Sequence, residues 1–413
     1  MHRRTGCLER GGSGGQPDDM GGLLLADDHL VLLLLLSRLG PAGRRGQALG
    51  LGLMVVHVDH QRHEDDRRRG DGDRVAQPER QAKDGRTHAL SVHTESVDLS
   101  VFFAGTGGSQ PTLRRGLPAA MIRRGGERIL IDCGEGTQRQ LVSSVGLADL
   151  DAIFVTHLHA DHWLGLPGLL KTFDLRGREA PLTLYGPRGL RQLVEDLMRH
   201  AGRTGYGLYI DELGPGDTLE RDGYEITSVP VNHRGTAFGY VLAELPRPGV
   251  FDPEAARRAG VPEGPAWGRL QRGQTVEGVA PETVMGPSRR GRKLVFSGDT
   301  RPCEPLKLAA AGADLLVHEA TFAIDDAERA HETGHSTASQ AAGIARDAGV
   351  ALLALNHISI RYPQRVIRDE ARDIFAASVV PRDFDTIEIP QPERGSPQLI
   401  RSEDAHAEPQ AAA

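Results

Sequence analysis

The chain has 413 residues, enough for one large domain with appendages or for two ordinary domains. Charged residues make up 25% and hydrophobic ones 39%, while only 4% are aromatic against 51 glycines, so part of the chain lies outside any core. A formal net charge of -7 excludes a general electrostatic attraction to nucleic acid, and three scattered cysteines exclude a disulfide framework or a thiolate zinc site. The cysteine usage points to a reducing, cytoplasmic compartment, and any metal must be held by histidine and carboxylate.

Residues 1 to 96 alternate turn residues, short apolar patches and charge runs. The leucine run at 30 to 36 is too short to span a bilayer and follows acidic residues, so neither a transmembrane helix nor an ordinary signal peptide fits. This segment is expected to be disordered, or an extension added by an upstream start codon. His57, His60 and His63 have helical spacing but sit beside EDDRRRGDGDR, which reads as an exposed polar stretch.

Globular patterning begins at Val97. Strands are predicted at DLSVFFAG, ERILIDCG, DAIFVTH, PLTLYG, YEITSVPVNH, GYVLAEL, KLVFSGD, ADLLVHEA and VALLALNHIS. Helices are predicted at TQRQLVSSV, LPGLLKTFDL, LRQLVEDLMRHA, CEPLKLAAAG, TASQAAGIARDAG and QRVIRDEARDIFAAS. The chain is therefore α/β. The globular domain is expected over 97–390, with a Gly- and Pro-rich insertion at 245–292 too long for an ordinary connection and a disordered tail at 391–413.

The chemistry concentrates in VTHLHADHWLG, where His157, His159, Asp161 and His162 fall within six positions. Packing needs no such density of ionisable groups, and adjacent imidazoles are costly to bury unpaired. Four predicted strands each end on a candidate ligand, His157, His233, Asp299 and His357. The carboxyl ends of strands are where α/β sheets build their sites. Imidazole and carboxylate without thiolate suit zinc, with manganese or iron as alternatives. Alternation along an extended segment puts His157 and His159 on one side, while Asp161 and His162 begin the next helix and can face a second ion. Asp299 would bridge the two metals, as two-metal hydrolases require.

HLHADH after an apolar strand resembles the signature of the metallo-β-lactamase superfamily. The strings FFAGTGGSQPTLRRG, ILIDCGEGTQRQL, THLHADHWLGLPGLL, LYGPRGL, FSGDTRPC, HEATF, HSTASQAA and LNHISIRY resemble one branch of it, the ribonuclease Z family of tRNA 3′-processing endonucleases. The resemblance covers about 97 to 390 and implies a four-layer αβ/βα sandwich with an inserted flexible arm. It implies two Zn2+ per subunit, one held by His157, His159 and His233, the other by Asp161, His162 and His357, with Asp299 bridging. It further implies that Asp132 orients a ligand histidine, that Asp161 accepts a proton from the nucleophilic water, and that Glu319 and His335 form a relay to the leaving group. The substrate would be precursor tRNA, gripped by the arm through Arg257, Arg258, Arg269 and Arg272, with Arg114 and Arg115 holding RNA near the metals. Homodimerisation and absence from membranes belong to the same expectation. The rival readings are a glyoxalase II-like thioesterase or general phosphodiesterase with the same ligand set. A β-lactamase fits less well, because Asp299 stands where a thiolate is expected, and a non-catalytic RNA-binding protein would not need every ligand position filled.

Overall fold

The computed structural model describes residues 97–402. The expectations for 1–96, including the His57, His60 and His63 triplet, and for the last eleven residues lie outside the described residues. No helix among the described residues is long and apolar enough to cross a membrane.

The first half of the domain builds one sheet and its helices. Its strands are β1 (Leu99–Gly105), β2 (Ala119–Arg124), β3 (Glu127–Ile131), β4 (Ala152–Phe154), β5 (Leu182–Gly186) and β6 (Leu208–Glu212). Helices α1 (Thr137–Val142), α2 (Leu166–Leu175) and α3 (Leu190–Ala201) lie between them. A second sheet follows, with β7 (Thr218–Arg221), β8 (Tyr224–Pro230), β9 (Phe238–Glu244), β10 (Lys293–Phe296), β11 (Leu315–Glu319), β12 (Leu352–Asn356) and β13 (Ser378–Val379). Within this half run α4 (Pro253–Arg258), α5 (Pro265–Gln271), α6 (Glu304–Ala309), α7 (Ala327–Thr333), α8 (Ala338–Ala348) and α9 (Gln364–Ile374). The chain then returns to the first sheet as β14 (Thr386–Glu388) and β15 (Gln398–Ile400). The strand orders are β15-β14-β1-β2-β3-β4-β5-β6 and β13-β12-β11-β10-β9-β8-β7.

Period-two alternation explains the layering. In β1, Val101 and Phe103 point into the space between the sheets, where they meet Tyr240, Leu294 and Val317, while Phe102 and Ala104 point outward against Leu141, Leu169 and Phe173 of the helices. The outer face of the second sheet carries Val295, Leu316 and Leu353, covered by Leu306, Ala341, Ala345 and Ile367 from α6, α8 and α9. Both faces of both sheets are therefore apolar, and the result is the helix–sheet–sheet–helix order that the resemblance implied. Helix α8 shows how locally the elements are specified. Thr337 caps it by accepting from Gln340 N at 3.2 Å while Gln340 Oε1 accepts from Thr337 N at 2.9 Å, and Gly349 closes it at φ 63°.

One boundary and the character of one segment differ from the sequence reading. The tail expected to be disordered from 391 instead forms a turn over Pro392–Arg394 and the edge strand β15, whose Ile387↔Leu399 pairing extends the first sheet. A three-residue strand gives too few positions for alternation to be visible. The insertion at 245–292 spans the gap between β9 and β10 but is not a featureless loop. It contains α4 and α5 around an apolar cluster of its own, formed by Ala256, Val261, Leu270, Val276 and Val284 with Phe251 and Trp267 against it.

Candidate metal centre

The carboxyl ends of β4, β8, β10 and β12 deliver His157, His233, Asp299 and His357 to one edge between the sheets, and the turn at Ala160–His162 adds Asp161 and His162. Among the described residues five groups of side chains converge with their ligand atoms within 4.8 Å of one another: His157, His159 and His233; His157, His162 and Asp299; Asp161, His162 and His357; His233, Asp299 and His335; and Glu319, His335 and His357. His157, His162, His233, Asp299 and His357 are buried. Asp299 Oδ2 is 3.7 Å from His157 Nε2, 3.4 Å from His162 Nε2 and 3.3 Å from His357 Nε2. One carboxylate oxygen therefore faces imidazoles from both sets.

The outer nitrogen of each buried imidazole is held by the protein. His162 Nδ1 lies 2.8 Å from Asp132 Oδ2, His233 Nδ1 2.7 Å from the Gly334 carbonyl, and His357 Nδ1 2.8 Å from Thr321 Oγ1. His157 Nδ1 lies 3.0 Å from Thr156 Oγ1, whose hydroxyl also sits against Asp132. With Nδ1 turned outward, each Nε2 faces inward as the atom that a cation would meet. His159 uses its other nitrogen, Nδ1, which stands 3.0 Å from His157 Nε2 and 3.1 Å from His233 Nε2. A single proton on His159 cannot serve both neighbours at once.

These features test whether a cation fits. Ligands on a tetrahedral zinc are separated by roughly 3.3 Å, given bonds of about 2.0 Å, and the inward atoms here stand at 3.0–3.7 Å. His162 Nε2 is buried without a hydrogen-bond partner. Leaving such a group unsatisfied costs on the order of 1–3 kcal/mol, and a cation removes that cost. Burial and the neighbouring His162 push His157 well below the usual imidazole range, which keeps its lone pair free. Burial opposes ionisation of Asp299, yet His357 and His162 hold its carboxyl well below the carboxylate range. Asp161, against the same two imidazoles and accepting from Ser109 N at 2.9 Å, is likewise held down despite partial burial. Burial disfavours a charged His162, but Asp299 and Asp132 lift it well above the imidazole range, and a cation would take the place of that proton. Imidazoles with two carboxylates fit divalent metal.

Glu319 and His335 stand beside this set. Glu319 Oε1 accepts from Thr300 N at 2.9 Å and lies 2.9 Å from His335 Nδ1, while Oε2 accepts from Thr321 Oγ1 at 2.6 Å. Burial disfavours a charged His335, but Glu319 first and Asp299 second overcome it and lift the imidazole to about 9. His335 thus carries a proton on the free Nε2 side of a ring fixed by a buried carboxylate. His335 Nδ1 is also 3.7 Å from Asp299 Oδ2, which places the pair at the edge of the donor set.

Three side chains or backbone groups that the sequence reading did not single out complete the site. Thr321 bridges His357 and Glu319, the Gly334 carbonyl holds His233, and Thr156 holds His157. His357 itself adopts φ 57°, a left-handed conformation uncommon for a residue with a side chain. Gly108 lies against its ring, and a Cβ there would approach His357 Nδ1 to 2.4 Å. No spacing in the sequence links these positions, although Thr156 and Thr321 sit inside the strings VTHLHADH and HEATF.

The arginines separate. Arg114 is exposed, but Arg115 turns inward, its Nη1 donating to Thr106 Oγ1 at 2.6 Å and to the Pro381 carbonyl at 3.1 Å. Unlike Arg114, Arg115 ties the loop after β1 to the loop before β14 through its guanidinium. In the insertion, Arg257 is held by Glu263 at 2.5 Å and by Glu254, and it stacks on Trp267. Arg258 lies 3.9 Å from Asp252 and is largely exposed, and Arg269 and Arg272 are exposed.

Two facing mixed sheets with a histidine–aspartate cluster at one edge define a class, and the metallo-β-lactamase superfamily model matches residues 118–357. Within that class the similarity narrows. Ribonuclease Z of Methanosarcina acetivorans is 46% identical over 301 residues, covering 71% of this chain and 98% of the relative. Ribonuclease Z of Myxococcus xanthus is 46% identical over 303 residues, again with 71% and 98% covered. The crystal structure of human tRNase Z, short form, superposes with a TM-score of 0.54 at 28% identity over 70% of this chain and 99% of that one. The chain belongs to the ribonuclease Z family of the metallo-β-lactamase superfamily.

Proposed function

We propose that this protein is a zinc-dependent endoribonuclease that removes the 3′ trailer from precursor tRNA, leaving a 3′-hydroxyl on the tRNA and a 5′-phosphate on the trailer. The observation that carries this reading is the Glu319–His335 pair set beside a complete His/Asp donor cluster, since acid catalysis of a poor leaving group is what a phosphodiester demands and a thioester does not. Family membership supports the substrate class.

His157, His159 and His233 would hold one zinc and Asp161, His162 and His357 the other, with Asp299 shared. When bound, the two ions supply an acidified water as nucleophile and neutralise charge developing on the phosphoryl oxygens. Asp161, whose Oδ2 lies 3.3 Å from His357 Nε2 in the donor set, would accept on its other oxygen the proton that this water loses. His335 Nε2 donates a proton to the departing O3′ as the phosphorus–oxygen bond breaks, and Glu319 stabilises the imidazolium before transfer and sets the ring plane. One water is consumed: its hydroxyl joins the phosphorus, and its other proton, taken by Asp161, balances the one that His335 gives to O3′ and later regains from solvent. Asp132, Thr156, Thr321 and the Gly334 carbonyl orient the imidazoles and fix their tautomers.

The insertion would grip the tRNA away from the cut, with Arg258, Arg269 and Arg272 free to meet phosphates. A homodimer and a cytoplasmic location complete the reading, in keeping with free Cys133 and Cys303. Light scattering at micromolar concentration tests the dimer, and a monomer with full activity would remove it. Incubation of the purified protein with precursor tRNA and with a glutathione thioester, each with and without chelator, tests the activity. Chelator-sensitive release of a trailer is expected; thioester hydrolysis without trailer release would overturn the reading in favour of the thioesterase.

A further inference from the structure

The insertion meets the sandwich through a narrow stem. Its apolar cluster around Val261 and Leu270 is separate from the three clusters of the sandwich, so no continuous core sets its direction. The stem is a short antiparallel ladder: Arg247 N donates to Arg289 O at 2.7 Å, Arg289 N donates to Arg247 O at 2.9 Å, and Gly286 N donates to Val250 O at 2.8 Å. This register sets two guanidinium groups directly opposite each other. Like charges across a strand pair repel, and the ladder meets them only with carbonyls, Arg289 Nε donating to Pro248 O at 2.9 Å.

Glu393 supplies the offset from outside. Arg247 donates from Nη1 to Oε1 at 3.0 Å and from Nη2 to Oε2 at 2.9 Å, and Arg289 Nη1 donates to Oε1 at 3.0 Å. The Arg247 hydrogen bonds hold the Glu393 carboxyl down to about 2, so it is ionised at any working pH. Its turn, Pro392–Arg394, is anchored in turn. The buried Arg292 donates from Nη1 to the Ile389 carbonyl at 3.0 Å and from Nη2 to Val97 O and Glu244 Oε1, each at 2.7 Å. Arg290 makes a second tie, with Nη1 and Nη2 at 2.8 and 2.6 Å from the Asp314 carboxylate at the foot of β11. The string SRRGRK therefore reads as a basic patch in sequence but faces carboxylates of the sandwich in the fold. An isolated exposed ion pair contributes little, but a bidentate pair sharing its carboxylate with a second arginine is the geometry that does contribute.

We infer that Glu393 is a positioning residue for the insertion: by clamping Arg247 and Arg289 it fixes the angle at which the arm leaves the sandwich, and so sets how tightly a long RNA is held without touching the reaction centre. The link to RNA rests on the proposed function; the clamp itself does not.

The test uses the full chain with its metals and the variants Glu393→Ala, Glu393→Gln and a deletion of residues 250 to 285. Glu393→Ala should speed amide hydrogen exchange through 250–285 and raise KM for precursor tRNA by roughly three- to tenfold, the scale of a shared bidentate pair. Turnover of bis(p-nitrophenyl) phosphate should stay unchanged. Glu393→Gln, which keeps hydrogen-bonding atoms and loses the charge, should fall between wild type and Ala. Unchanged exchange in 250–285 would overturn the clamp, as would an equal loss of turnover on the small diester, which signals general destabilisation. If the deletion leaves KM for precursor tRNA unaltered while Glu393→Ala still speeds exchange, the clamp stands and the tRNA-gripping reading falls.

Discussion

The metal centre and the inserted arm handle charge in opposite ways. At the centre, carboxylates and imidazoles face inward, and His162 Nε2 is buried with no hydrogen-bond partner among the described residues. In the arm and its stem the ionic groups close on one another, Arg257 with Glu263 and Glu254, Arg247 and Arg289 with Glu393. The centre leaves ligand atoms turned toward a shared space, and the stem neutralises its charges pairwise. A cluster of arginines in the sequence therefore says less about RNA contact than the partners those arginines find.

The largest expected effects break the inward set. His157→Ala or His159→Ala should lower both bound metal and cleavage of precursor tRNA, because each removes one of a few donor bonds and opens a site that His157 Nε2 and His159 Nδ1 close at 3.0 Å. Elemental analysis beside single-turnover kinetics checks it, and a variant that retains full metal content removes that histidine from the ligand set.

His335→Ala should keep the metal and slow cleavage about a hundredfold, the scale of one acid–base group. The same two measurements on one preparation decide it. Loss of metal would make His335 a ligand, an outcome that the group of His233, Asp299 and His335 makes worth excluding.

A milder break is Thr321→Val, which removes the hydroxyl between His357 Nδ1 and Glu319 Oε2 without changing shape much. Metal affinity, read by competition with a chromophoric chelator, should weaken about tenfold or somewhat more, as when the outer partner of a ligand histidine is lost. Unchanged affinity would show that the left-handed backbone at His357 alone orients the ring.

The smallest effects sharpen the other side of the comparison. Arg269→Ala and Arg272→Ala should each raise KM for precursor tRNA a few-fold and reduce its salt dependence by about one phosphate contact. Arg257→Ala should leave the salt dependence alone and speed hydrogen exchange in the arm, since its guanidinium already faces Glu254, Glu263 and the Trp267 ring. Equal salt slopes for all three would erase the distinction between free and paired arginines.

The sequence by itself determined the fold class and singled out seven histidines and aspartates that the fold brings to one edge. A short apolar run such as LSVFFAG between turn residues reads as a strand buried on both faces, a helix such as LPGLLKTFDL carries a period of 3.6, and the density of HLHADH is what packing alone does not need. Weakly patterned elements were illegible for the same reason. The strand TLER at β7 and the edge strand QLI at β15 exist because neighbours supply hydrogen bonds, not because their own residues demand it. Which nitrogen each histidine presents was decided only in three dimensions, by Asp132, Thr156, Thr321 and the Gly334 carbonyl reaching in from separate loops. The fate of the arginines was settled the same way: Arg115 and Arg289 look alike in the sequence to Arg114 and Arg272, and a guanidinium's role depends on which carbonyl or carboxylate the folded chain brings within 3 Å of it.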